Sequence, residues 1–168
     1  MGSSPSWRPA VFFRTPNCLI LWGMTTERYT LRAAAYLILI KDEKVLLLRR
    51  SNTGWRDGEY TLPAGHVDGD ETVRAELCRE AMEEVGIKIT PTNLKFAHVM
   101  HQRDNHEYID FYFAAKDWNG EPTNCEPEKC DDMQWFSLDE LPENVIPNVK
   151  QALVAYAAGE SYSEFGWS

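Results

Sequence analysis

Three glutamates stand close together near the middle of the chain, Glu80, Glu83 and Glu84, and a loop carrying Asp68, Asp70 and Glu71 runs up to them. If residues 71 to 85 form a helix turning about 100° per residue, the three carboxylates fall within one arc of about 100°. Like charges held that close raise one another's pKa unless a cation neutralises them. A donor set made only of oxygen suits a hard divalent ion, Mg²⁺ or Mn²⁺. The other side of the same helix carries Ala75, Cys78, Ala81, Met82 and Val85, which reads as a core stripe. One face would anchor the helix while the opposite face binds.

The spacing around these acids is more informative than their charge. Gly65 is followed by five residues, then Glu71, seven residues, and Arg79-Glu80-Ala81-Met82-Glu83-Glu84-Val85-Gly86-Ile87. A solvated acidic helix face accounts for the glutamates but not for Gly65, Arg79 and Gly86 at those offsets. The pattern resembles the Nudix box at each of its fixed positions, and a looser resemblance covers about residues 27 to 158. The resemblance implies a Nudix fold of the α+β class, an α/β/α sandwich with a mixed sheet between helices. It also implies metal-dependent hydrolysis of a nucleoside diphosphate linked to another group. Carried over position by position, Glu80, Glu83 and Glu84 hold metal together with the backbone carbonyl of Ala64. Glu80 or Glu83 serves as general base, and Arg79 pairs with Glu71 to hold the loop against the helix.

Other elements must position these groups. The apolar runs Ala33–Ile40 and Val45–Leu48, joined by Lys41-Asp42-Glu43-Lys44, predict a hairpin of buried strands. Tyr60–Pro63 predicts a short strand entering the box, and Ala64-Gly65 permits close backbone approach to a cation. The helix is expected to begin at Asp70 or Glu71 and to stop at Gly86. Beyond it, Ile87–Ile89, Leu94–Met100, Tyr108–Phe113 and Met133–Phe136 read as strands, with His101–Glu107 as a hairpin loop. Ile146–Ala158 reads as a helix that packs Val149, Leu153 and Val154 on the sheet.

Substrate contacts are sought at the ends of these elements. Arg49, in the Arg49-Arg50 pair closing the second strand, is either a surface cap or a grip for phosphate oxygens. Trp55, in the polar loop Ser51–Glu59, either stacks on a base or seals the core edge. Some Nudix enzymes use a later-loop glutamate as ligand or base; Glu126 and Glu128 are the candidates here, and Glu107 a weaker one. Relatives selective for oxidised purines carry an aromatic residue and acids just beyond the Leu-Pro element. This chain instead has Glu143–Asn148, with Asn148 as a candidate contact. The reaction favoured is cleavage of a nucleoside triphosphate to monophosphate and pyrophosphate. The alternatives are a pyrophosphatase acting on ADP-ribose, a nucleotide sugar or a dinucleotide, and a non-catalytic Nudix-like nucleotide sensor. Such sensors usually lose a box glutamate, whereas all three remain here.

With 168 residues, 43% of them hydrophobic, the chain suits one domain, residues 24–168, behind an extension, residues 1–23, that holds Pro5, Pro9 and Pro16. A formal charge of −9 argues against a nucleic-acid duplex as partner but not against a small nucleotide bound through metal. No apolar run reaches the roughly 20 residues that span a bilayer. Cys18, Cys78, Cys125 and Cys130 form no CxxC pair, so free thiols in a reducing, cytoplasmic setting are expected. His98, His101 and His106 match no usual zinc spacing. The aromatic tail, with Tyr162, Phe165 and Trp167, should pack on the core or at a subunit contact such as a homodimer's.

Overall fold

The computed structural model describes residues 29–167, so the extension of residues 1–23 and Cys18 lie outside the described residues. Strand β1 (Arg32–Lys41) turns into β2 (Lys44–Arg50) through Asp42 and Glu43, whose φ angles of 49° and 61° are those of a two-residue hairpin turn. Along one edge, β1 pairs in parallel with β6 (Glu107–Ala115), from Arg32 opposite Tyr108 to Leu39 opposite Ala115. Its other edge is shared. Ala34 to Tyr36 pair antiparallel with β4 (Ala64–His66), and the hairpin to β2 begins at Ile40. β2 carries β3 (Tyr60–Thr61) and β7 (Cys130–Ser137), while β5 (Lys95–Arg103) joins β6 to β8 (Tyr162–Phe165).

Two helices cover this mixed sheet, α1 (Val73–Val85) and α2 (Pro147–Ala158). Alternation along the strands sorts the side chains between them. Ala35, Leu37 and Leu39 of β1 and Leu46 and Leu48 of β2 pack with Leu77, Ala81 and Val85 of α1. Ile38, Val45 and Leu47 point the other way, against Val149, Ala152 and Leu153 of α2. The expected sandwich is therefore present, and both layers of core meet in the β1–β2 hairpin.

Several expectations change in detail. The loop expected over His101–Glu107 shrinks to residues 104–106, because β5 and β6 continue pairing as far as Arg103 opposite Glu107. Ile87–Ile89 is no strand; only Lys88 bridges, to Asn119. Val154 does not pack on the sheet, being 59% exposed, while Val149 and Leu153 do. The aromatic tail folds back on its own chain as β8. The ring of buried His98 donates from Nδ1 to Glu160 O (2.9 Å) and its Nε2 lies 2.8 Å from Ser163 Oγ, and Trp167 Nε1 donates to His101 O (2.9 Å).

The helix α1 differs in start and in rotation. Asp70 has φ 67°, outside the helical region, and Thr72 caps the helix instead, its hydroxyl accepting from Ala75 N at 3.2 Å. Its end is as expected: Gly86 sits at φ 67° and donates to Met82 O. The buried row is Leu77, Ala81 and Val85, whereas Ala75 and Met82 face solvent and Cys78 is half-buried at the cluster's edge. The acids Glu76, Glu80 and Glu84, each one position earlier, thus flank the core row instead of opposing it. This rotation shapes the site.

Candidate active site

Because the acidic row flanks the core row, it lies against strand β4. Glu84 is largely buried, and its Oε2 accepts from Ala64 N at 3.0 Å. Glu80 is half-buried with its carboxylate over Gly65: a Cβ added at that glycine would stand 2.2 Å from Glu80 Oε1. A side chain at Gly65 would therefore displace the carboxylate ends of Glu76 and Glu80, and the glycine lets both lie against β4. Glu83, on the outer edge of the helix, is half-exposed and pairs with Arg79.

Arg79 gathers the cluster. Its guanidinium reaches Glu80 Oε1 at 2.9 Å, Glu83 Oε2 at 3.1 Å and Glu71 Oε1 at 3.4 Å. Glu71 Oε1 also accepts from Asp68 N at 3.1 Å, so the Arg79–Glu71 pair ties the loop to the helix as expected. Burial raises the Glu80 carboxyl above its ordinary value against the pull of Arg79. Burial, then the charge of Glu80, pushes Glu84 up to about 8. These shifts mark acids whose negative charge the neighbouring side chains do not fully offset.

The donor chemistry fits Mg²⁺ or Mn²⁺: carboxylates and backbone, all oxygen, with burial that leaves them short of positive charge. Among the described residues no three Asp, Glu, His or Cys side chains converge on one point at ligand spacing. The acids form a line along the helix, an arrangement suited to an ion that keeps several waters and uses only one or two carboxylates at a time.

At Ala64, Gly65 and Glu84 this line opens into a cavity of about 640 Å³, a volume typical of sites for nucleotide-sized ligands. It is also lined by Arg50 at the end of β2, by Trp55 and Arg56 from the loop that follows, and by Asn148 and Val149 of α2. Tyr36, Tyr108, Arg103 and Phe165 line it as well.

The residues singled out earlier separate here. Asn148, 5% exposed, and Trp55, 44% exposed, both line the cavity. Arg49 does not. It bonds Asp131 Oδ1 at 2.7 Å and lies over the Tyr60 ring, because alternation turns Arg49 and Arg50 to opposite sides and a bulge falls between them. Arg50 takes the wall position, 5.0 Å from the Trp55 ring centre and donating to Trp55 O at 2.9 Å. Glu126 stands near Glu80 and Glu84, in a loop held to the end of α1 by Cys125 N donating to Glu84 O, and is paired with Lys129 at 2.7 Å. Glu128 is exposed on the outside of that loop. Glu107 sits at the start of β6, away from the acids.

Two buried acids escaped the sequence reading. Glu76 is fully buried with neither oxygen hydrogen-bonded, and so is Asp110 on β6. Glu76 had a signal, since it lies four residues before Glu80 and eight before Glu84 on one helical row. Asp110, within Tyr108-Ile-Asp-Phe-Tyr-Phe113, had none beyond a charge inside an aromatic strand.

A profile of the NUDIX domain matches residues 30–156. The chain is 31% identical over 108 residues to an uncharacterised Nudix hydrolase, YvcI, of Bacillus subtilis, covering 62% of this chain and 65% of that one. It is 30% identical over 118 residues to the phosphatase NudJ of Escherichia coli K12, covering 64% of this chain and 76% of the relative. The match to YvcI thus spans a little under two thirds of that protein. Among solved structures, a MutT NUDIX hydrolase from Burkholderia pseudomallei superposes with a TM-score of 0.69 at 28% identity, over 75% of this chain and 98% of that chain.

Proposed function

The chain belongs to the NUDIX family, and on that premise we propose that it is a metal-dependent hydrolase of a nucleoside diphosphate linked to a further group. The first substrate is a nucleoside triphosphate, cleaved to monophosphate and pyrophosphate. The observation that carries this reading is the acidic row of α1, with Glu84 and Ala64 opening directly onto a nucleotide-sized cavity walled by Arg50 and Arg56. A cavity lined by both an acid of the row and arginines suits a polyphosphate that shares a cation with the acid and meets the guanidinium groups.

Glu80, Glu83 and Glu84, with the Ala64 carbonyl, would hold the cation. Bound there, a divalent ion would offset phosphate charge and acidify a water. The residues do the rest. Glu80, its pKa raised by burial, is the better placed of the two candidate bases to take a proton from the attacking water at neutral pH. The water oxygen bonds to phosphorus, the anhydride P–O bond breaks, and the proton rests on the carboxylate until solvent removes it. Arg79 acts through others: it fixes the Glu80 and Glu83 side chains and anchors the loop through Glu71. Glu126 is favoured over Glu128 as the later-loop acid by its nearness to the row. Trp55 and Asn148, which both line the cavity, are the residues proposed to meet the base.

A second reading, a dinucleotide or nucleotide-sugar pyrophosphatase, is favoured by the breadth of the cationic lining, which runs from Arg50 and Arg56 across to Arg103. A panel of nucleoside triphosphates, ADP-ribose, nucleotide sugars and dinucleotides with Mg²⁺ or Mn²⁺, with products identified by chromatography, tests both. A triphosphate should release pyrophosphate, and ADP-ribose would release AMP and ribose phosphate. Glu80→Gln and Glu84→Gln should each lower turnover by at least about 10²-fold. If no member of the panel is hydrolysed, a nucleotide sensor replaces the enzyme.

A further inference from the structure

We propose that Glu76 is a further carboxylate ligand of the cation site, acting as a pair with Glu80. The inference rests on the reading of α1 as a cation-binding helix and adds a ligand from the seven-residue stretch between Glu71 and Arg79.

Glu76 is 0% exposed, and neither of its oxygens has a hydrogen-bond partner. An ionised carboxylate so placed is costly unless a positive group meets it. No such group is present among the described residues. Arg79 spends its guanidinium on Glu71, Glu80 and Glu83, and no lysine, arginine or histidine pairs with Glu76.

The position of the carboxylate points the same way. A Cβ built on Gly65 would lie 2.2 Å from Glu76 Oε1 and 2.2 Å from Glu80 Oε1. The two oxygens therefore share the space that this glycine leaves open and are no farther apart than twice that distance. Two carboxylates this close suit one shared divalent ion, since Mg²⁺ commonly takes one or two carboxylates with water and phosphate completing its shell. Glu76, Glu80 and Glu84 then form a continuous row along β4, one carboxylate per helical turn, so a cation at the Glu76–Glu80 pair would sit next to one held by Glu84. The plain alternative is a buried acid that stays protonated and never meets metal.

Mn²⁺ titration followed by electron paramagnetic resonance separates the two, because it counts bound ion without needing turnover. Glu76→Gln keeps the shape and removes the charge. It should lose one equivalent of bound Mn²⁺, or weaken one by at least about tenfold. Thermal unfolding in EDTA serves as the companion measurement: the variant should unfold no lower than wild type there, and gain less on adding Mn²⁺. Glu76→Asp, which keeps the charge on a shorter stem, covers the case in which the glutamine variant does not fold, and should weaken the same equivalent. Identical Mn²⁺ isotherms for wild type and the folded variants overturn the proposal and leave the functional reading standing. If wild type itself binds no Mn²⁺ while Glu84→Gln is equally silent, the functional reading falls with it.

Discussion

Arg79 and Asp110 show how differently two charged residues can serve one fold. Arg79 touches three glutamates at once, so truncating it frees Glu71, Glu80 and Glu83 together. Arg79→Ala should lower kcat/KM by about 10 to 100-fold while Mn²⁺ still binds, because the ligands remain and only their orientation is lost; steady-state kinetics beside a metal titration checks this. Asp110 is buried with no hydrogen-bond partner, and burial raises its carboxyl to about 7 despite the neighbouring Asn148 amide. In the unfolded chain the same group titrates near 3.9. Between those values the folded state holds the extra proton, so stability from this residue is present below about pH 4 and lost as pH rises through about 7. Asp110→Asn should flatten that fall, and should unfold at a higher temperature than wild type at pH 8, as read by thermal denaturation across the pH range.

At the scale of elements, the end of α1 and the tail are the places where backbone geometry carries the site. Gly86 turns the chain at φ 67°, and an added Cβ would meet Cys125 Sγ and Thr123 Oγ1 at 3.0 Å each. Gly86→Ala should cost about 1 to 2 kcal/mol in denaturant unfolding. The same change disturbs the contact between α1 and the loop bearing Glu126, so turnover should fall as well. The tail strand β8 covers the outer edge of β5, satisfies the His98 ring through Ser163, and supplies Phe165 and Gly166 to the cavity. Deleting residues 161–168 bares that edge and opens the cavity on one side. The expected result is a lower unfolding temperature and a raised KM with kcat nearly unchanged, since β8 carries none of the acids of α1.

Over the whole molecule, with its formal charge of −9, Glu76 and Glu84 of α1 are two carboxylates whose ionisation burial penalises strongly. A ligand that binds only the folded state stabilises it by mass action, about 2.7 kcal/mol at a hundred times its Kd. Mg²⁺ should therefore raise the unfolding temperature, and EDTA should lower it, more strongly at pH 8 than at pH 5, where Glu76 and Glu84 hold protons. The carboxyl of each is raised to about 8 by burial, with Glu80's charge next. Calorimetric scans at the two pH values with and without Mg²⁺ provide the check, and equal Mg²⁺ effects at both would count against a carboxylate site. No helix among the described residues is long and apolar enough to cross a membrane.

Gly65, Glu71, Arg79, Glu80, Glu83, Glu84 and Gly86 were legible in the sequence because their chemistry depends on spacing along one loop and one helix, and helical geometry converts spacing into proximity. The sandwich was legible for a similar reason, since alternation in β1 and β2 sends side chains to two faces. Tertiary structure alone decided the rest. Which face of α1 meets the sheet depends on packing of Leu77, Ala81 and Val85 against strands far away in the chain, and that choice buried Glu76 and exposed Met82. A bulge in β2 opposite β7 gave the cavity wall to Arg50 and left Arg49 to Asp131. Trp55, Asn148 and Phe165 meet around one cavity only because β1, β6, β5 and β8 lie side by side in the sheet. Local periodicity placed the acids, but the room beside them for a substrate was made by strand pairings such as Arg32 with Tyr108 and Val99 with Tyr162, between residues far apart in the chain.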